Sequence, residues 1–221
     1  MRARIMHWWG AAQDSMAMEG FPERFFARED ESADAGFYRQ ARLVTHIDDA
    51  TIAALTDFYA EFLRPLSRVL DLMSSWVSHL PEEEYGRVAG LGMNEEELAA
   101  NPRLTDRIVH DLNEEPVLPF ADDSFDRAVV AVSVQYLVRP LEVFTDLRRV
   151  LAPGGRVAVA MSHRCFPTKA ILAFRALPPS DRIRLVGSYL HRAGFVEVNA
   201  LDRSPENADP LWIVTGDCPA P

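Results

Sequence analysis

His163 is the side chain in this sequence best suited to moving a proton near neutral pH. It lies in the polar segment SHRCFPTKA, which directly follows the apolar run RVAVAM. An unperturbed histidine titrates at about pH 6.5, so His163 is our candidate for a general base. A ring that only hydrogen-bonds the backbone of its own loop is the structural alternative, and it stays open.

A second set of candidate residues lies near the N-terminus. Tyr38, Arg42 and His46 recur every four residues. On a helix this spacing predicts one stripe of side chains that face the same way. Arg42 could then clamp a carboxylate of a ligand, because a guanidinium donates paired hydrogen bonds. A solvated helix surface of mixed polarity is the alternative.

Two acids end short apolar runs, and ligand-binding residues of a parallel sheet collect at such positions. Asp71 ends the run VLD, and Asp111 ends the run IVHD. After a ligand-binding strand, a tight glycine turn into a helix is expected, but Met73, Ser74 and Ser75 follow instead. Small serine hydroxyls can bond a carboxylate, so this segment is either a rebuilt binding loop or the remnant of a lost one.

The composition excludes several partners. The chain has 221 residues, of which 48% are hydrophobic and 25% charged, and this favours one globular domain with an appendage. A net charge of −10 opposes attraction to nucleic acids and anionic membranes, so a small molecule is the expected partner. Only two cysteines occur, no run is apolar enough to span a bilayer, and no metal-ligand spacing is present. We therefore predict a cytoplasmic protein without a metal; a homodimer stays open.

The element pattern predicts an α/β fold with a doubly wound, Rossmann-like sheet. Apolar runs at 68–72, 87–92, 106–111, 127–133 and 156–162 alternate with helical segments and predict five parallel strands. FVEVNAL and PLWIVTG, separated by turn residues, predict a C-terminal antiparallel hairpin and hence a seven-stranded sheet. Upstream, DDATIAALTDFYAEFL predicts a helix capped by Asp49. The expected domains are an N-terminal helical cap, 1–63, and an α/β domain, 64–221.

Two segments carry a resemblance to a known family. LNEEPVLPFADDSFDRAVVAVSVQYL and LRRVLAPGG resemble the class I S-adenosylmethionine-dependent methyltransferases, in particular the type 11 methyltransferase domain. The resemblance covers about residues 64–216 and implies S-adenosylmethionine as cofactor and methyl transfer to a small-molecule acceptor. A protein of this fold that only binds or scaffolds is the alternative. A nicotinamide-dependent oxidoreductase is disfavoured because the sequence lacks GxGxxG.

The resemblance also implies the site residues. Those implied for the cofactor are Asp71, Met73, Ser74, Ser75, Met93, Asn94, Asp111, Leu112 and Ser133. Those for the substrate are Tyr38, Arg42, His46, Gln135 and Tyr136. The family commonly ends its second strand in an acid that binds the ribose, whereas this sequence has Gly92 there. Asn94 or Glu95 could substitute, although both are also explained by the start of a helix.

Overall fold

A single mixed sheet of eight strands organises the molecule. The computed structural model describes residues 4–6 and 20–220, so residues 1–3 and 7–19 of the predicted cap lie outside the described residues. The strands are β1 Arg4–Met6, β2 Arg68–Leu72, β3 Arg87–Gly92, β4 Asp106–Val109, β5 Phe125–Ala131, β6 Leu151–Met161, β7 Val196–Asp202 and β8 Trp212–Asp217.

The strand order confirms the predicted fold class. The sheet runs β1-β7-β8-β6-β5-β2-β3-β4, with β2 to β6 parallel and β8 antiparallel to both β6 and β7. The predicted seven strands are all present, and β1 adds an eighth beside β7 at the edge. Strand order reverses between β2 and β5, and at such a point the carboxyl ends of parallel strands leave a crevice.

Helices cover both faces of the sheet because its central strands are apolar on both sides. They are α1 Asp34–Phe37, α2 Asp49–Phe62, α3 Glu95–Ala100, α4 Pro140–Val150, α5 Leu172–Ala176 and α6 Pro179–Arg192, with short 3-10 turns at Glu23–Phe26 and Val134–Tyr136. Leu55 and Tyr59 of α2 belong to the core on one face of the sheet, and α4 and α6 pack on the other. None of the helices in the described ranges has the length and apolarity needed to cross a bilayer.

Three local predictions were wrong. The cap of α2 is Asp48, not Asp49, because the Asp48 side chain accepts a hydrogen bond from the Thr51 backbone N–H at 2.9 Å. β6 begins at Leu151, five residues before the predicted start of this strand at 156, so the turn-forming residues Pro153, Gly154 and Gly155 lie within it. Residues 73–86, between β2 and β3, contain no helix, although a crossover helix usually joins such parallel strands.

Candidate functional site

A crevice opens at the carboxyl ends of β2, β3, β4 and β5, where the strand order reverses. Its empty space, including the open mouth, is about 1180 Å³. Residues 38–47, together with Tyr136 and Phe166, form its outer wall. Twelve of the fifteen predicted site residues line it, namely Tyr38, Arg42, His46, Asp71, Met73, Ser74, Ser75, Met93, Asp111, Leu112, Ser133 and Tyr136. Asn94, Gln135 and His163 do not.

Met73 makes the turn that a glycine was expected to make. Its φ is +60°, in the left-handed region that costs a non-glycine residue free energy. The next residue, Ser74, donates its backbone N–H to the carbonyl of Leu91 in β3 at 2.8 Å. The chain therefore leaves β2 by crossing the end of β3 instead of entering a helix.

This crossing also explains why the second strand ends in a glycine. A Cβ atom at Gly92 would lie 2.1 Å from the backbone oxygen of Ser74, which is far closer than atoms can approach. No side chain fits at position 92 while the loop takes this path. The acid that the family commonly places there is therefore excluded by the course of the loop.

Asp71, in β2, binds the loop through side-chain hydrogen bonds. Its Oδ2 accepts hydrogen bonds from the hydroxyls of Ser74 and Ser78, each at 2.6 Å. Burial raises the pKa of the Asp71 carboxyl to about 6, and the two hydroxyls oppose that rise. Asn101 completes the network by donating to Ser78 Oγ at 2.8 Å and to the carbonyl of Ser75 at 2.9 Å. The loop is thus fixed by side chains that a glycine turn would not need.

Glu97, in the first turn of α3, lines the crevice and was missed from the sequence. Its Oε2 accepts from the hydroxyl of Ser75 at 2.6 Å, and its Oε1 accepts from the backbone N–H of Arg42 at 2.7 Å. Asn94, predicted as a cofactor contact, is instead the N-cap of α3 and donates to the carbonyls of Tyr38 and Arg39. The spacing from Asn94 to Glu97 matches a capping box, so the sequence pattern favoured a purely local role for Glu97.

The opposite side of the crevice carries polar atoms without partners. Oδ1 of Asp111 accepts from the backbone N–H of Asn113 at 2.9 Å, but its Oδ2 is buried and has no hydrogen-bond partner in the described structure. The buried hydroxyl of Ser133 is in the same state, and Val132 beside it has a φ of +47°, which is rare for a β-branched residue. Both residues line the crevice, so a ligand bound there is a candidate partner for these atoms.

The predicted helical stripe of Tyr38, Arg42 and His46 is wrong as secondary structure. Residues 39–48 are bends and irregular chain, yet all three side chains line the crevice. Arg42 lies over the Phe37 ring, with 4.5 Å from its Cζ to the ring centroid, and 5.4 Å from the centroid of Phe166. Contacts with other elements hold this wall in place, not helical periodicity.

Two predicted residues serve the surrounding structure. Nε2 of Gln135 donates to the carbonyls of Val132 at 2.8 Å and Arg164 at 3.3 Å, as expected of a structural network. Nε2 of His163 lies 3.2 Å from the carboxylate of Asp209, and the His163 side chain is 49% exposed. His163 is outside the crevice lining, so the geometry gives its predicted role as general base no support.

The architecture is an open α/β sheet with a crevice at its switch point, the place where folds of this kind bind their ligands. Residues 73–159 match the family model described as a methyltransferase domain. The resemblance to S-adenosylmethionine-dependent methyltransferases is thereby confirmed for these residues, which include the ends of β3, β4 and β5 that border the crevice.

Individual relatives support the same assignment. The methyltransferase GfsG of Streptomyces halstedii is 44% identical over 57 residues, 26% of this chain and 20% of that protein. A ubiquinone/menaquinone biosynthesis C-methyltransferase of Paracoccus denitrificans is 41% identical over 54 residues, 24% of this chain and 22% of that protein. The matched segment thus spans about a fifth of the length of these relatives.

A solved structure supports the fold. An S-adenosylmethionine-dependent methyltransferase from Mesorhizobium loti superimposes with a TM-score of 0.54 at 20% identity, over 74% of this chain and 97% of that one. At this identity the likeness concerns the architecture of the sheet and its helices. The chemistry must be argued from the residues of the crevice.

Proposed function

We propose that this protein binds S-adenosylmethionine in the crevice and catalyses methyl transfer to a small-molecule acceptor. When bound, the cofactor supplies an activated methyl group, so the protein has mainly to hold the reactants and accept a proton. The observation that supports this best is the buried, unpaired Oδ2 of Asp111. An acceptor atom kept away from water in an open crevice calls for a donor such as the amino group of adenine.

The residues of the crevice fit the cofactor on its adenine side. Asp111 offers a free acceptor, and Leu112 and Met93 offer apolar surface beside it. The unpaired hydroxyl of Ser133 can both donate and accept. This combination of apolar walls and a few fixed polar atoms is typical of cofactor sites.

Glu97 is our candidate for the ribose hydroxyls, in place of an acid at the end of β3. A carboxylate can accept about four hydrogen bonds, and the protein supplies only two to Glu97. Glu97→Gln should weaken binding of S-adenosylhomocysteine about tenfold, since a charge-assisted bond is worth about 1.5–3 kcal/mol. Glu96→Gln, an exposed neighbour with the same charge change, serves as the control.

His46 is better placed than His163 to accept a proton from the acceptor. It lines the crevice, and although the residue is partly open to solvent, desolvation on its crevice side lowers the pKa of its ring, so the neutral, proton-accepting form is present at neutral pH. His46→Asn should therefore lower turnover and leave cofactor affinity unchanged. His163→Ala carries the competing prediction, and a rate loss confined to that variant would restore His163 as the base.

The proposed acceptor class, location and assembly rest on the net charge, the composition and one relative. The net charge and the name of the Paracoccus relative favour a small molecule. A cytoplasmic location and a homodimer stay predictions from composition, as does the division into a cap, 1–63, and an α/β domain, 64–221.

A binding or scaffold protein without methyl transfer is the second candidate. One observation favours it: Asp71, Ser74, Ser75 and Ser78 satisfy one another or other protein groups and leave few polar atoms free on that side. In that case the loop would have replaced the contacts that a cofactor once made.

Calorimetric titration with S-adenosylmethionine and, separately, S-adenosylhomocysteine distinguishes the two candidates. Micromolar binding of both, with turnover on an acceptor panel, would support methyl transfer. Absence of heat and of any thermal shift at millimolar ligand would reject it in favour of the second candidate.

A further inference from the structure

The outer wall of the crevice contains a group of rings around Phe166. Phe37, His46 and Tyr136 contact the Phe166 ring with centroid distances of 5.4, 5.2 and 5.9 Å. The backbone N–H of Phe166 also donates to the hydroxyl of Tyr136 at 2.8 Å, which fixes one against the other. The rings come from three separate segments of the chain, and all but Phe37 line the crevice. They form a preorganised surface for a flat ligand.

A guanidinium is held rigidly at the edge of this surface. Arg42 lies over the rings of Phe37 and Phe166, and its Nη2 donates to the Phe37 carbonyl at 2.9 Å. Within residues 20–220 no carboxylate forms an ion pair with it; Glu97 accepts from its backbone N–H instead. Its Nη1 also donates to the Gln40 carbonyl at 3.5 Å, so three of its five N–H donors have no acceptor in the described structure.

Asp34, another acid that lines the crevice, is already paired with cations of the protein. Its carboxylate lies 2.7 Å from Arg28 Nη1 and 3.1 Å from Lys169 Nζ. Burial raises the pKa of the Tyr38 and Tyr136 hydroxyls, so both remain protonated and can donate at neutral pH. The outer wall thus offers one unpaired cation and phenolic donors beside aromatic faces.

We propose that the ligand of this wall is a planar, conjugated acid, whose anionic group pairs with Arg42 while its ring packs near Phe166 and Tyr136. This inference deepens the proposed function, since it assigns the class of methyl acceptor. The anion is a carboxylate or another oxyanion that a planar guanidinium can bind with two parallel hydrogen bonds. A neutral or cationic acceptor would leave Arg42 without a partner.

The test compares a matched pair of probes, 4-hydroxybenzoate and 4-hydroxybenzamide, which differ in the charge of one group. Binding to the wild-type protein is measured by ligand-observed NMR, with and without S-adenosylhomocysteine. We expect the acid to bind at least about tenfold more tightly than the amide, and Arg42→Gln to bring the ratio close to one. Arg39→Gln, an exposed arginine three residues away, should keep the wild-type ratio, and Arg42→Lys should keep part of it.

The other results either overturn the inference or separate it from the proposed function. Equal binding of the two probes, or an unchanged preference in Arg42→Gln, shows that Arg42 does not select an anion. If Arg42→Gln weakens S-adenosylhomocysteine and leaves the preference for the acid intact, Arg42 serves the cofactor's own carboxylate, and only the proposed function survives. If the protein prefers the acid but does not bind S-adenosylhomocysteine, the wall binds an anion and methyl transfer fails. A loss of thermal stability in Arg42→Gln moves the comparison to Arg42→Lys.

Discussion

The two sides of the crevice satisfy their polar groups in opposite ways. In the loop after β2, Asp71 and Ser74 bond each other or nearby protein groups. After β4 and β5, Asp111 and Ser133 each leave a buried atom without a partner. The polar groups of the first, closed side are satisfied by the protein itself, whereas the second, open side leaves two of them available to a ligand.

This difference shows how the loop after β2 keeps a defined path without the expected glycines. Met73 takes the left-handed conformation, Gly92 makes room for the loop, and Asp71 holds it with two serine hydroxyls. The glycine-free loop and Gly92 depend on each other, because the path of the loop leaves no room for a side chain at position 92. The end of β3 therefore cannot carry an acid while the loop takes this path. The contrast between the sides therefore predicts that substitutions in the loop or at Gly92 lower stability. A substitution of Asp111 should instead lower the affinity for the cofactor.

Gly92→Ala should break the closed side and have the largest effect. Its Cβ would meet backbone, not a flexible side chain, so the loop or β3 must move. We expect a loss of about 3 kcal/mol in the free energy of unfolding, or roughly 6–12 °C in melting temperature, measured by thermal and urea denaturation.

Gly36→Ala is the matched control, because a Cβ at that position meets nothing within 4 Å. Its stability should stay within about 0.5 kcal/mol of the wild type. If both variants are equally stable, the loop does not cross the end of β3 as described.

Asp111→Asn tests the open side. The Asn side chain keeps an acceptor for the backbone N–H of Asn113 but places an amide donor where the unpaired oxygen lies. Affinity for S-adenosylhomocysteine should fall ten- to a hundredfold in calorimetry, with little change in stability. Glu114→Gln removes a charge in the same turn and should bind normally; equal affinity of all three proteins would refute the assignment of Asp111.

The sequence was sufficient for the architecture because strand order and hairpin depend on patterns that are local and repeated. It also placed Asp111 at the crevice, because a residue that follows a parallel strand lies at the carboxyl end of the sheet; its role as a cofactor contact stays a prediction. It was not sufficient for Glu97, because its spacing from Asn94 is explained by a capping box. The contacts of Glu97 with Ser75 and Arg42 depend on the tertiary structure, which the sequence pattern does not show. Nor could the sequence reveal that Gly92 is a steric requirement, because the Ser74 oxygen that approaches it belongs to the loop after β2.

Asp71→Asn tests the closed side through the pH dependence of the free energy of unfolding. The pKa of Asp71, raised to about 6 from an ordinary 3.8, means that the folded protein holds this proton more tightly than the unfolded chain. Its contribution to stability is therefore fully present below about pH 4 and is lost as the pH rises through 6. The Asn variant cannot ionise, so it should exceed the wild type by about 3 kcal/mol at pH 8 and approach it near pH 4.

Urea denaturation at several pH values between 4 and 8 measures this difference. Asp57→Asn, an exposed residue of α2, removes the same charge and should give a difference that does not vary with pH. If the Asp71→Asn difference is likewise flat, Asp71 is not the buried acid that the loop encloses.

Replacement of Met73 has the smallest expected effect and tests whether the loop still carries the strain of a missing glycine. Met73→Gly removes partly buried apolar surface but relieves the left-handed backbone at φ +60°, so the two effects should cancel to within about 1 kcal/mol. Met73→Val keeps an apolar side chain but is β-branched, and should cost about 1–2 kcal/mol more than Met73→Gly. Asn207→Gly, at an exposed residue with φ +58° outside the crevice, calibrates the relief alone. A tolerated valine together with a destabilising glycine would mean that Met73 is selected for its packing, and that the left-handed turn costs this loop little.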